Sequence, residues 1–281
     1  MLCRLEEFFD DEVDHDAANG TADSTPHHVY AQSNEHINHI VTSLLTRQVA
    51  ACGGTTLAKS YHKIFSHSIK YTEEFNLRTE ILQATEENLI RAAQLIKRGE
   101  IVAFPTETVY GLGADGLNVD ACRKIFAAKG RPSDKPLSLH VASLEMVERV
   151  AKISAAAEKL FAAFCPGALT IILPKNKIVP DFVTGGRSSV GIRFPANDVA
   201  LALIKLSGTP IAAPSANLSG MTPPKNAREV FDNLRGRVEI ILDGGQCQFG
   251  VSSTIIDMTT AEPKILRHGA IPAEKLLEVL K

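Results

Sequence analysis

The 281-residue chain is 44% hydrophobic and 22% charged, with a formal net charge of −2, enough for one large domain with a core or for a domain plus an extension. No run of about 18 apolar residues occurs, which excludes a transmembrane helix of ordinary length. Five scattered cysteines (Cys3, Cys52, Cys122, Cys165, Cys247), odd in number and without a C-x-x-C pair, argue against a disulfide-bonded secreted framework. Residues 1–75 carry 5 of the 30 basic and 11 of the 32 acidic residues, so an acidic leader precedes a mildly basic body. A basic body suits a phosphate-bearing ligand.

Residues 1–36 are acidic, polar and aperiodic. Residues 37–75 carry Lys and His with no acid before Glu73, a composition like a transit peptide but displaced from the start of the chain. A cytoplasmic location is therefore expected, with a mitochondrial one as the second option. The division expected is a poorly structured extension over 1–84 and a catalytic domain over 85–281. Within the leader, Gly53–Ser60 nearly spells a phosphate-binding loop, but Ala58 replaces the glycine whose backbone must wrap the phosphates. His27, His28, His36 and His39 lack companion ligands, and no metal site is expected.

In the body, helical spacing predicts a helix over Glu87–Lys97 that Gly99 stops. Ile101–Phe104 reads as a buried strand ending at Pro105. Further helices are predicted over Val119–Lys129, Leu144–Phe164, Val199–Leu206, Ala227–Leu234 and Ala273–Leu280. Asn118 and Gly130 would cap the first of these. Further strands are predicted over Leu137–Val141, Leu169–Leu173, Val190–Phe194, Ile211–Ala213, Ile240–Leu242, Thr254–Asp257 and Ile265–Leu266. The alternation gives one α/β domain without a strict β-α-β repeat.

Four segments set polar groups beside these strands: Phe104–Gly113, Ala128–Val141, Ala213–Gly220 and Val251–Asp257. Lys129 and Arg131 flank a glycine at a helix end, where two cations could clamp a polyphosphate or simply offset the helix dipole. Lys135 and His140 follow, and Ser215 and Asn217 sit just past a strand, where α/β sheets bind ligands or where a turn bonds to itself.

Together these segments resemble the YrdC/Sua5 family of threonylcarbamoyl-AMP synthases, from about Leu89 to Leu280. Lys129-Gly130-Arg131 matches that family's K-x-R element and Ser215-Ala216-Asn217 its S-x-N element. Pro105–Gly113 and Lys129–Leu137 match longer stretches. The chain ends soon after Arg267–Ile271, like the short form of the family without the extra C-terminal domain of Sua5. The resemblance implies a single twisted mixed-sheet α/β domain with flanking helices and a large basic cavity. It implies L-threonine, bicarbonate or CO2 and ATP as substrates, with Mg2+ as cofactor, and a threonylcarbamoyl-adenylate product for tRNA modification by a downstream threonylcarbamoyl transferase complex.

By motif, the resemblance places Thr108, His140, Arg193 and Ser253 around threonine. It places Lys129, Arg131, Lys135, Ser189, Ser215, Asn217 and Arg267 on ATP, with Lys129 and Arg131 as the catalytic cations. Ala213 stands where many members have Thr. The alternative is a module of the same fold that binds double-stranded RNA or tRNA through its basic surface. No membrane partner is expected.

Overall fold

The computed structural model describes residues 77–281. The expectations for the leader (the extension itself up to residue 76, the near-phosphate loop, the histidines and the mitochondrial option) lie outside the described residues.

The described chain runs β1 (Glu80–Gln83), α1 (Glu86–Lys97), β2 (Val102–Phe104), β3 (Gly111–Asp115), α2 (Val119–Lys129), β4 (Ser138–His140), α3 (Leu144–Val150) and α4 (Ala155–Phe164). It continues β5 (Leu169–Pro174), β6 (Ser189–Arg193), α5 (Asp198–Ser207), β7 (Ile211–Ala212), α6 (Ala227–Leu234), β8 (Ile240–Asp243), β9 (Thr254–Asp257), β10 (Lys264–Arg267) and α7 (Ala273–Val279). The strands form one mixed sheet in the order β1-β8-β2-β3-β7-β4-β6-β5-β9-β10.

Local chemistry sets the helix ends. Thr85 accepts from the Asn88 amide to start α1, and Asn118 accepts from Asp120 and Ala121 to start α2. Gly130, at φ +59°, ends α2 in the left-handed turn that glycine adopts without a Cβ penalty. The single helix expected over 144–164 is two. Ala151 is extended (φ −146°, ψ 160°) and bridges to Lys175, and Ser154 caps α4 by accepting from the Ala157 amide.

Two strands went unanticipated. β1 lies before Thr85 and pairs parallel to β8 from Glu80↔Ile240 to Gln83↔Asp243. β3 carries two glycines, which weaken a strand signal. Gly113 is needed there: a Cβ would stand 2.7 Å from the Phe104 ring on β2 and 2.7 Å from the Ile211 side chain.

Register across the middle of the sheet separates core from site. Leu139, Ile192, Ile171 and Ile256 form one row over β4, β6, β5 and β9, and all four are fully buried. Cross-strand neighbours share a face and successive residues alternate. The adjacent row therefore faces the other way: His140, Arg193, Thr170 and Ile255. Two residues along lie Ser138, Gly191 and Ile172 on that same face. The first face packs on α2, α3 and α4 through Ile125, Val147, Leu160 and their neighbours. A second apolar cluster joins α1 and α5 to β2 and β8 through Ile96, Leu203, Phe104 and Leu242.

Candidate active site

The face bearing His140, Arg193 and Thr170 is the floor of a cavity of about 400 Å³. Among the described residues five cations line it: Arg131 and Lys135 from the segment after α2, Arg187 from the turn before β6, Arg193 from β6 and Arg267 from β10. No carboxylate among those residues does. Gly191 keeps the floor open, since a Cβ there would come within 3.1 Å of the Ser138 hydroxyl and 3.2 Å of the Thr170 methyl.

Arg193 is buried, and its charge is balanced from behind. One terminal nitrogen, Nη2, donates to the Glu107 carboxylate at 3.0 Å, to Thr106 Oγ1 at 3.3 Å and to Thr108 Oγ1. These partners come from the loop between β2 and β3, which Thr106 closes by donating to the Val109 carbonyl at 2.7 Å. Arg193 Nε is buried and has no hydrogen-bond partner among the described residues. His140 stands beside it in register, with its ring edge-on to Phe104 and Nδ1 without a hydrogen-bond partner among the described residues. Burial, and then the Arg193 charge, holds the His140 pKa well below the usual imidazole range, so the ring is neutral at neutral pH.

On the opposite wall Arg267 donates through Nε to the Ser253 carbonyl and through Nη2 to the Ser253 hydroxyl, both at 3.0 Å. That hydroxyl lies 2.7 Å from Thr170 Oγ1. Arg131 donates to the Pro136 carbonyl at 3.2 Å, and its Nε is buried and without a hydrogen-bond partner among the described residues. Burial lowers the Arg131 pKa, with Asp134 opposing. Burial and then Arg193 lower that of Arg267. Cations gathered where burial already penalises their charge are stabilised by a bound anion.

The structure thus brings together on the cavity wall Arg131, Lys135, His140, Arg193, Ser215, Ser253 and Arg267. Four expected site residues lie elsewhere. Thr108 is fully buried behind Arg193. Lys129 is buried with its ammonium donating to the Ser215 and Asn217 carbonyls, and its own carbonyl accepts from the Ser219 amide at 2.8 Å. It therefore clips the end of α2 to the loop carrying Ser215. Burial, then the neighbouring Arg131, pushes its pKa down to about 7. Asn217 donates to the Leu218 and Met221 carbonyls at 2.7 Å each, holding the same loop. Ser189 is on the cavity face of β6 by alternation, opposite Pro174 at the far end of the strand and off the wall.

Sequence reasoning missed Arg187, Thr170, Ser138 and Ser252, which also line the cavity. For Thr170 and Ser138 the signal was available: each is a polar residue between two apolar ones in a short strand. No helix of the described residues is long and apolar enough to cross a membrane.

A family model for the Sua5/YciO/YrdC domain, described as telomere recombination, matches residues 94–269. A threonylcarbamoyl-AMP synthase of Pyrococcus abyssi is 50% identical over 202 residues, covering 71% of this chain and 59% of the relative. A threonylcarbamoyl-AMP synthase of Vibrio vulnificus is 35% identical over 185 residues, covering 65% of this chain and 98% of the relative. Among solved structures, P. abyssi Sua5 complexed with L-threonine superposes with a TM-score of 0.69 at 48% identity, covering 72% of this chain and 60% of that one. The match spans about three-fifths of the length of the Pyrococcus relative and of one from Bacillus subtilis.

Proposed function

The chain belongs to the Sua5/YciO/YrdC family, and from that membership we propose that it condenses L-threonine, bicarbonate or CO2 and ATP into threonylcarbamoyl-AMP and pyrophosphate. The observation that carries the reading is the cavity wall: among the described residues, five cations and no carboxylate, around a buried arginine with an unpartnered donor. Such a wall suits a polyphosphate and a carboxylate together.

In this reading the threonine carboxylate takes the free edge of Arg193. Neutral His140 and the Ser253 hydroxyl flank it, and Thr108 contributes by holding Nη2 of Arg193 from behind. Arg131, Lys135, Ser215 and Arg267 hold ATP. Lys129 and Asn217 act through the loop they fix. Ser189, at the end of β6, would meet the nucleotide only beyond the present wall.

The threonine amine captures CO2 to give a carbamate, releasing a proton; from bicarbonate the same step releases water. A carbamate oxygen then attacks the α-phosphorus of ATP. The new P–O bond forms as the bond to the bridging oxygen breaks, and pyrophosphate leaves with that electron pair. The substrate supplies the attacking oxygen, so no enzyme nucleophile is needed. The protein positions the two substrates and neutralises the charge that builds on the phosphates. Shielding from water protects the carbamate and the mixed anhydride.

The wall offers no carboxylate to a metal, and the described residues contain no group of three or more His, Cys, Asp or Glu placed to hold one. The described residues do not fit Mg2+ as a resident ion. Magnesium would enter on the triphosphate, whose oxygens and waters suit it. The product would pass to a separate threonylcarbamoyl transferase complex acting on tRNA.

The deciding experiment is mass-spectrometric detection of the adenylate from the purified chain with ATP, threonine and bicarbonate, alongside pyrophosphate release. Omitting any one substrate should stop both signals. Pyrophosphate release indifferent to threonine would defeat the proposal.

A further inference from the structure

Arg187 was not among the residues implied by the sequence, yet it lines the cavity. Its position follows from two loops stitched together. The Thr184–Arg187 turn closes through Thr184 Oγ1 donating to the Arg187 carbonyl at 2.8 Å and the Arg187 amide donating to the Thr184 carbonyl at 3.3 Å. Gly185 and Gly186 take φ of +59° and +77° within it. A Cβ on Gly185 would lie 2.5 Å from the Asp134 carbonyl, so the turn sits directly against the segment holding Arg131 and Lys135. The Leu137 amide donates to the Val183 carbonyl at 2.8 Å and fastens the two. Arg187 thus reaches the cavity from a turn packed on the segment of Arg131 and Lys135, while Arg193 and Arg267 come from strands of the sheet.

Arg187 is exposed and has no ion-pair partner among the described residues. No side-chain bond among those residues gives it a structural role.

We infer that Arg187, with Arg131 and Lys135, grips the terminal phosphates of the nucleotide, making it a ligand for the β- and γ-phosphates and for the pyrophosphate product. The inference rests on the proposed use of ATP at this cavity. The cations then divide their work, those of the two packed loops reading the length of the phosphate chain and Arg193 reading the amino acid.

The experiment uses the full chain and two direct ligands, inorganic pyrophosphate and AMP, with binding measured by calorimetry. Arg187→Gln should weaken pyrophosphate roughly 3- to 5-fold, the upper range for loss of one charge-assisted contact at an exposed site. AMP should bind within about twofold of wild type. In turnover the same variant should raise the KM for ATP by a similar factor and leave the KM for threonine in place. Arg187→Lys should recover part of the loss, because a point charge replaces a fork. Unchanged pyrophosphate binding in Arg187→Gln, or equal loss for pyrophosphate and AMP, overturns the inference. Because binding is read without turnover, a chain that grips pyrophosphate through Arg187 but makes no adenylate would sink the proposed reaction and leave this assignment standing.

Discussion

The Arg193 guanidinium meets the Glu107 carboxylate at 3.0 Å, with 8% and 2% of the two side chains exposed. Glu107 does not line the cavity, and its second oxygen is buried without a hydrogen-bond partner among the described residues. In the proposed reaction it would be a positioning residue, compensating Arg193 from behind while the front of the guanidinium meets substrate. Glu107→Gln keeps the shape and removes the charge. The expected result is a rise of about 10-fold or more in the KM for threonine with a smaller change in kcat. Stability should also fall, by an amount approaching the ~3–5 kcal/mol typical of breaking a buried pair. Steady-state kinetics with threonine varied, beside thermal unfolding, decides it; an unchanged KM for threonine would remove Glu107 from the positioning role.

Lys129 and Arg131 should separate under mutation. Lys129→Met strips the donor from the Ser215 and Asn217 carbonyls, which should cost about 1–3 kcal/mol and lower activity through the loosened loop. Arg131→Ala removes a group on the cavity wall and should cut activity with less loss of stability. Urea denaturation and pyrophosphate release, measured on both, show the contrast. Equal stability losses would mean Arg131 is as structural as Lys129.

Stability should rise with pH in two windows. Folded His140 binds its proton well below its ordinary pKa of 6.5, so acidification below 6.5 protonates the unfolded chain preferentially and favours it. Folded Lys129 releases its proton near 7 instead of 10.5, so between those values the unfolded chain again holds more protons. Stability climbs through each window at up to ~1.4 kcal/mol per pH unit. Denaturation midpoints at pH 5, 7 and 9 test this. His140→Gln should flatten the lower window and Lys129→Met the upper, and variants with the wild-type slope would refute the assignment.

The cavity floor depends on Gly191. Gly191→Val should leave the fold intact, since the added atoms point away from the buried row of Ile192. They would crowd Ser138 and Thr170 and narrow the cavity floor. Loss of threonine binding of about 10-fold or more is expected, with a stability loss no larger than the ~1–3 kcal/mol of a local overpacking. Calorimetric titration with threonine measures the first, and undiminished affinity would show that the substrate does not approach the floor.

Much of this was legible because apolar spacing and capping residues are local signals. Asn118 and Gly130 bound α2 as expected, and Thr254–Asp257 is a strand over the expected residues. β3 was hidden because its glycines answer to Phe104 and Ile211, neighbours brought in from other strands. The break between α3 and α4 turns on Ala151 bridging to Lys175, a tertiary contact that helix spacing does not register. At the site, short motifs marked the neighbourhood but not the direction of each side chain. Lys129 and Arg131 are two residues apart, yet one faces carbonyls and the other the cavity. Arg187 had no pattern to announce it, because its place depends on a turn packed against a distant loop.

The alternation along β4, β5 and β6 gives this protein two nearly independent alphabets on the same strands. Letters at Leu139, Ile171 and Ile192 spell the fold, and those at Ser138, Ile172 and Gly191 shape what the hollow admits. Substitutions in the second set can retune substrate choice while the first set keeps the domain intact. Inserting a single residue into β6 would exchange the two, driving a charge into the oily layer and an isoleucine into the hollow.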